Sequence, residues 1–229
     1  MLHGAQVAGD SDTLIAAVLL TAFPGLGPDT RLELESAARS RTLNVGEVLY
    51  SADGPARVGV LVSGLLRTVV PMPDGRRVTL HHIRSGGIYG LTTIFHPVPL
   101  RVEVVRRALV IEIDAATIKR VARKSADLGW LIGQQLAGAV LQVPAMIEEF
   151  GFKPVRQRVA RHLLDLCVRD PHQGLLVARV TRQALAESVG SAREVVSRCL
   201  RSFSDAGFIT LASASITILD AEALQQLGA

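Results

Sequence analysis

An α+β fold is predicted: an antiparallel β-roll, then a long helix, then a helical C-terminal region that ends in a small hairpin. Three observations carry this prediction. Between Thr42 and Ile113, short apolar runs alternate with glycine-bearing turns. Helical periodicity returns after Asp114 and continues to Phe150. Thr181 to Phe203 then reads as two short amphipathic helices about a glycine.

The chain has 229 residues, enough for one large or two modest domains with a sizeable core. Hydrophobic residues make up 48% and charged ones 20%, which excludes a disordered chain. A net charge of +4 suits an anionic partner without choosing among DNA, RNA and anionic lipid. The two cysteines, Cys167 and Cys199, lie far apart and form no zinc spacing, so a reduced cytoplasmic protein without a metal is expected. Leu14 to Phe23 is apolar but follows Asp10 and Asp12, and it is too short to span a bilayer. It reads as a helix packed on its domain, and no membrane partner is expected.

Residues 1–40 look helical, with Pro28-Asp29 opening a helix through Leu32, Leu34, Ala37 and Ala38. Strands are predicted at 48–50, 58–62, 65–70, 77–83 and 108–113. The turns between them are Asn44-Val45-Gly46, Asp53-Gly54-Pro55, Pro73-Asp74-Gly75 and Ser85-Gly86-Gly87. From Leu128 to Phe150 two adjoining apolar stripes need two surfaces to cover them. One is the helix's own domain. The other is a second copy, met through Leu128, Ile132, Leu136, Ala139, Val143 and Met146. Pro144 should kink or end this helix, because it removes a backbone bond. Gly151 to Pro154 is the expected hinge, followed by a helix over 155–166.

Thr181 is a good N-cap, Leu185 and Val189 share one helical face, and Gly190 can take positive φ to end the helix. Ser191 is expected to cap the next helix, whose apolar side is Val195, Val196, Cys199, Leu200 and Phe203. Glu194, Ser197 and Arg198 stand at i, i+3 and i+4 and project together, beside Arg193. Arginine can bond guanine O6 and N7, glutamate can accept from cytosine N4, and a helix of this size enters the major groove. Ser191-x-x-Glu194 can also be read as a capping box. Two β-rich runs, 208–211 and 215–219, flank Ala212, Ser213 and Ala214 and form the wing of a winged helix-turn-helix.

This order of roll, long helix and winged helix-turn-helix resembles the Crp/Fnr family of bacterial transcription regulators, over nearly the whole chain after about residue 20. The motifs that carry the resemblance are Val155-Arg156-Gln157-Arg158-Val159-Ala160 with Leu163-Leu164, Thr181-Arg182-Gln183, and Ser191-Ala192-Arg193-Glu194-Val195-Val196-Ser197-Arg198. The resemblance implies a homodimer on a palindrome of double-stranded DNA with a TGA-like core. The implied DNA-contacting residues are Thr181, Arg182, Gln183, Ser191, Arg193, Glu194, Ser197 and Arg198. Activation, if it occurs, would imply contact with RNA polymerase. Ala184 stands where many members carry glutamate.

The family's cyclic-nucleotide cassette falls on Gly86–Leu91 and Arg101-Val102, so the implied effector pocket includes Gly90, Leu91, Arg101 and Val102. Gly90 and Arg101 match the cassette. Leu91 replaces the ribose-binding glutamate, Val102 replaces the serine, and Pro144 and Ala145 stand where hydroxyls would meet the base. A polar ligand without its partners loses several powers of ten in affinity, so control by cyclic AMP is not expected. Arg101 could still grip an unidentified acidic effector.

No cysteine precedes Cys167, which disfavours an iron–sulfur sensor. His81 and His82 are adjacent on a strand and point oppositely, and His96 precedes Pro97, so haem has little support and no cofactor is expected. The alternatives are an effector-independent regulator, a haem- or metal-sensing regulator, and a cupin-like enzyme. The enzyme would need converging ligands, whereas the strand candidates are only His81, His82, Glu103 and Glu112. The expected divisions are a sensor roll over 1–126, a dimer helix and hinge over 127–152, and a DNA-binding domain over 153–229.

Overall fold

The computed structural model describes residues 2–72, 77–170, 174–213 and 215–228. Two compact units emerge. The first comprises 1–70 and 80–142, and the second 71–79 and 143–229.

In the first unit, α1 (Leu2–Ala22) and α2 (Pro28–Ala37) precede the roll. Proline stands at the first position of α2, where its missing N–H costs nothing. Ile15, Leu19, Ala22 and Phe23 are buried, so the apolar N-terminal run does pack on its domain. The roll strands are β1 (Arg39–Leu43), β2 (Val48–Tyr50), β3 (Arg57–Pro71), β4 (Arg77–Ile83), β5 (Ile88–Tyr89) and β6 (Arg101–Asp114), of which Pro71 and residues 77–79 are counted with the second unit. They form one antiparallel sheet in the order β1-β6-β3-β4, with β2 also on β6 and β5 also on β3.

Two expectations change here. Residues 39–40 begin a strand and do not extend the N-terminal helices. The runs 58–62 and 65–70 are one strand, because Gly64 at φ +105° absorbs an irregularity and the pairing with β6 shifts register on both sides of it. A Cβ at Gly64 would lie 2.4 Å from the Arg107 carbonyl oxygen. The expected turn Pro73-Asp74-Gly75 lies outside the described residues, as does Ala214.

Leu43, Leu61, Leu66, Val102, Val104, Ala108 and Val110 fill the inner face of the sheet. A second cluster joins the N-terminal helices to α3 (Ala115–Ala122) and α4 (Ala126–Leu141). Ser125 caps α4 through its hydroxyl, which accepts the Leu128 N–H at 3.3 Å. The long helix ends at Leu141, and α5 (Val143–Gly151) begins after Gln142, with Pro144 inside its first turn. Proline is tolerated there and nowhere deeper in a helix.

In the second unit, α6 (Val155–Leu166) matches the expected helix, and β7 (Val168–Arg169), β8 (Leu176–Ala178), β9 (Ile209–Leu211) and β10 (Ile216–Ile218) form a sheet ordered β7-β8-β10-β9. The β9–β10 hairpin is the expected wing. Between β8 and β9 run α7 (Arg182–Ser188) and α8 (Arg193–Asp205), and α9 (Ala221–Gly228) closes the chain against α6.

Glycine at position 59 is dictated by one close approach. Gly59 sits opposite Tyr89, and a Cβ there would lie 2.3 Å from the ring Cζ. Gly59→Ala should therefore lower unfolding stability by about 1–3 kcal/mol, read as an earlier urea midpoint by circular dichroism. The same substitution on a Tyr89→Leu background should cost less; an equal cost in both would place the strain elsewhere.

Candidate functional site

The second unit presents an exposed helical face because its opposite face is fully used. Along α8, Val196, Leu200 and Phe203 are completely buried with Leu185, Val159 and Leu163. Val195 and Cys199 flank them at intermediate exposure. Burying each large apolar side chain contributes about 1.5–3 kcal/mol, so this stripe fixes the rotation of the helix about its axis. At a period of 3.6 residues, Glu194, Arg198 and Arg201 must then point away from the core, with Arg193 and Ser197 on one flank. Arg193, Glu194, Arg198 and Arg201 are exposed, and Ser197 is half-buried. Among the described residues, none of Arg193, Glu194, Ser197 and Arg198 makes a side-chain hydrogen bond or ion pair.

The first helix of the motif is built as its sequence indicates. The Thr181 hydroxyl accepts the Ala184 N–H at 3.1 Å, and Gly190 adopts φ +62°. Ser191 corrects an expectation. The left-handed Gly190 turns the Ser191 N–H back onto the Ala186 carbonyl at 3.0 Å, so Ala192 becomes the N-cap of α8 and no side chain caps it. The capping-box alternative therefore fails, and the Glu194 carboxylate is left outward at the positive end of the helix. Of the other expected contacts, Arg182 is exposed, while Gln183 donates to Glu187 Oε1 at 3.2 Å. Glu187 also accepts from Arg77 Nη2 at 2.8 Å. The Arg156 guanidinium, on α6, lies 5.6 Å from the Phe203 ring centroid. Burial pushes the Cys199 thiol up, against the opposing pull of Arg156 and Arg198, so the thiol stays protonated.

In the roll, the four expected pocket residues separate. Gly90 holds φ +78° at the start of a 3₁₀ turn, Leu91–Ile94, and a Cβ there would collide with the Arg57 carbonyl oxygen. Leu91 packs in the helical cluster and Val102 in the sheet cluster. Arg101 alone of the four lines a hollow, with Arg41, Val48, Leu49, Ser51, Gly54, Pro55 and Arg57.

Sequence reasoning missed the charged cluster beside that hollow. Glu112 is buried, and its Oε2 accepts from Arg41 Nη1 at 2.7 Å and Arg57 Nη1 at 3.4 Å. Its Oε1 accepts the Tyr89 hydroxyl proton at 2.8 Å. The hydrogen bond to Glu112 raises the pKa of Arg41 further, and burial, then the Glu112 charge, pushes the Tyr89 phenol far up. Strand register was the missing signal. Glu112 stands opposite Arg39 on β1 and Gly59 on β3, so Arg41 and Arg57 are its diagonal neighbours on the same face. Glu103, the other strand acid, is held by Arg67 through Nε at 3.0 Å and Nη2 at 2.7 Å. Both acids that a catalytic or metal site would need are thus committed to arginines. His81 Nε2 lies 3.3 Å from the Thr68 hydroxyl, and His96 is exposed.

On α4, Leu128 and Ile132 correct a further expectation. Both are buried in their own unit's core, so they are not available to a second copy, and Leu136 is packed partly against that core. Among the described side chains, the large apolar residues left in solvent are Trp130, Val140 and Leu141 on α4, and Val143 and Ile147 on α5. Ala139 is also exposed, and Met146 is half-buried.

Two family models match the chain in this order: a cyclic nucleotide-binding domain over residues 40–125 and a Crp-like helix-turn-helix domain over residues 157–227. The cAMP-activated global transcriptional regulator Vfr of Pseudomonas aeruginosa is 26% identical over 180 residues, covering 75% of this chain and 84% of that protein. The transcriptional regulator LdrP of Thermus thermophilus is 29% identical over 172 residues, covering 72% and 84%. Among solved structures, a Crp/Fnr-family regulator from Eubacterium rectale superposes with a TM-score of 0.79 at 24% identity, over 90% of this chain and 98% of that one. These relatives and neighbours are named as regulators, not enzymes, and the exposed α8 face is the feature such proteins need. The chain belongs to the Crp/Fnr family of transcription regulators.

Proposed function

We propose that this regulator binds palindromic duplex DNA as a homodimer and does not answer to cyclic AMP. The observation that carries the reading is the outward face at the start of α8, polar, exposed and without internal partners. Arg198 and Arg193 read guanine, Glu194 accepts from cytosine, and Ser197 adds a hydroxyl contact. Thr181, Arg182 and Gln183 at the start of α7 meet phosphates and set the register, and Ser191 shapes the turn between the helices. The working parts are a sensor roll over 1–126, a dimer helix with hinge over 127–152, and a DNA-binding domain over 153–229.

A second copy is argued from the apolar surface of α4. Trp130 is 71% exposed, Val140 66% and Leu141 76%. Trp130, Ala137, Val140 and Leu141 recur at spacings that keep them on one side of the helix. Ala139, Val143 and Met146 lie beside or beyond that seam. By length and composition the run Ala126–Glu148 could also cross a bilayer. Its break at Gln142, together with Gln134, Gln135 and Gln142 in its course, fits a protein seam better. The reading places the protein in the cytoplasm. Two copies would set their recognition helices about 34 Å apart, one turn of DNA.

Vfr is named as cAMP-activated, but the ribose-binding acid of the cassette is replaced here by Leu91, which is buried in an apolar cluster. The second hydroxyl position is Val102, also buried. Desolvating ribose and phosphate groups against these residues leaves them unpaired.

Three outcomes test the reading. Arg198→Ala should cost about 1–3 kcal/mol of discrimination between operator and mismatched duplex in a fluorescence-anisotropy titration, and wild-type binding should weaken steeply with salt. An unchanged preference would remove Arg198 from the bases. Val140→Glu combined with Leu141→Glu should convert a sedimenting dimer to monomer and cut operator affinity at least tenfold; a persistent dimer would refute the seam. Calorimetric titration with cyclic AMP should show no binding at micromolar concentrations, and a micromolar isotherm would overturn that part.

A further inference from the structure

Residues 71–79, the end of β3 and the start of β4, are counted with the second unit and not with the roll. There Arg77 Nη2 donates to Glu187 Oε2 on α7 at 2.8 Å. Val78 reaches the turn between α7 and α8, where its Cγ2 lies 3.3 Å from the place a Cβ on Gly190 would take. Arg77 also lines a hollow of about 400 Å³ at the start of α8, together with Gln183, Ser191, Arg193 and Glu194.

This attachment is superficial. Among the described residues, none of Pro71, Met72 and Val78 joins the buried apolar cluster of the second unit, which closes without them. An ion pair and an apolar contact at Gly190 hold the segment in place. Arg77 is 38% exposed and Glu187 25%, a setting in which an ion pair shifts an equilibrium only a few-fold. The other Glu187 oxygen accepts from Gln183 at 3.2 Å, so one carboxylate ties the segment to the first turn of α7. A contact of this strength adds little to folding and is easily exchanged.

We propose that Arg77 and Val78 form a self-inhibitory latch on the helix-turn-helix, closed by the Arg77–Glu187 pair and by Val78 on Gly190, and displaced when duplex DNA binds. The proposal rests on the reading of the second unit as DNA-binding. In a helix-turn-helix on DNA the first helix crosses the phosphate backbone and the second enters the groove by its N-terminal residues. A chain segment seated on the turn between them stands where the backbone has to approach. The outward side chains of α8 stay unbonded, and the obstacle lies beside them. Only the open fraction takes up DNA, so the measured affinity falls by that fraction. One sign separates the latch from a phosphate contact by Arg77. Losing a cation that touches phosphate weakens binding, whereas losing a latch strengthens it.

The test titrates full-length protein at low salt into a fluorescein-labelled palindromic duplex with TGA half-sites, and into a random-sequence duplex, read by anisotropy. Arg77→Ala should bind both about threefold or more tightly than wild type, because the latch acts before any base is read. Arg77→Lys keeps a cation opposite Glu187 and should stay within about twofold of wild type. Val78→Ala should shift affinity in the same direction as Arg77→Ala, and the two substitutions together should exceed either. Unchanged binding by folded Arg77→Ala would overturn the latch, and weaker binding would overturn it in favour of a phosphate contact. A second readout needs no variant. Trypsin cleavage of the wild-type chain after Arg77, followed by mass spectrometry, should speed up on saturation with duplex. Slower or unaltered cleavage there would overturn the latch. If neither wild type nor Arg77→Ala binds any duplex, the DNA-binding reading fails and the latch falls with it; wild-type binding that Arg77→Ala leaves unchanged sinks the latch alone.

Discussion

The burial of Val196, Leu200 and Phe203 is the constraint on which the exposed polar face of α8 depends. A helix has one rotational degree of freedom about its axis, and this stripe removes it. Once those residues are inside, Glu194 and Arg198 have nowhere to point but outward. The left-handed Gly190 sets where α8 begins, because it returns the chain onto Ala186 through the Ser191 N–H, one residue before the N-cap Ala192. The apolar stripe and the turn therefore specify the polar face without any bond among the polar residues. A surface held in position by its back is suited to an exchangeable partner, since no internal contact has to break when one arrives.

The helix-turn-helix was legible because its signals are local. Thr181 as cap, the Leu185–Val189 pair, Gly190 and the 155–166 periodicity each lie within a few residues of what they determine. Legibility failed where a choice depended on distant partners. Arg39–Leu43 carries four polar residues out of five and shows no alternation, yet β6 pairs with it throughout. Two apolar stripes could be read on the 128–150 segment, but not which of them faced home; the core of the first unit takes Leu128 and Ile132. Ser191 had the right chemistry for a cap and lost the position to a turn geometry that propensity does not encode. Arg41, Arg57 and Arg101 are scattered through the sequence, and only strand register brings them together.

The divergence of the nucleotide cassette is more than a loss of polar groups. Leu91 and Val102 are built into two different apolar clusters, so both positions serve packing. Gly90 persists for a reason independent of any ligand, since the Arg57 carbonyl leaves no room for a Cβ. A retained glycine is therefore weak evidence for a retained site. Arg101 is different, because nothing in the fold consumes it.

The chain uses guanidinium groups in two opposite ways, and the contrast follows from dielectric. In the roll, a buried carboxylate is tolerated only when paired and hydrogen-bonded, so Arg41, Arg57 and Tyr89 gather at Glu112 and Arg67 takes Glu103. On α8, in water, an arginine gains little from a neighbouring acid, and Arg193 and Arg198 form no ion pair with Glu194 although it lies one and four residues away. That separation leaves their donors open to an outside acceptor, since a guanidinium already satisfied by a carboxylate must give it up before it can bond anything else. Arg101 has the second kind of freedom in the setting of the first. It is a half-buried cation without an internal acid among the described residues, while its neighbours Arg41 and Arg57 are both paired to Glu112.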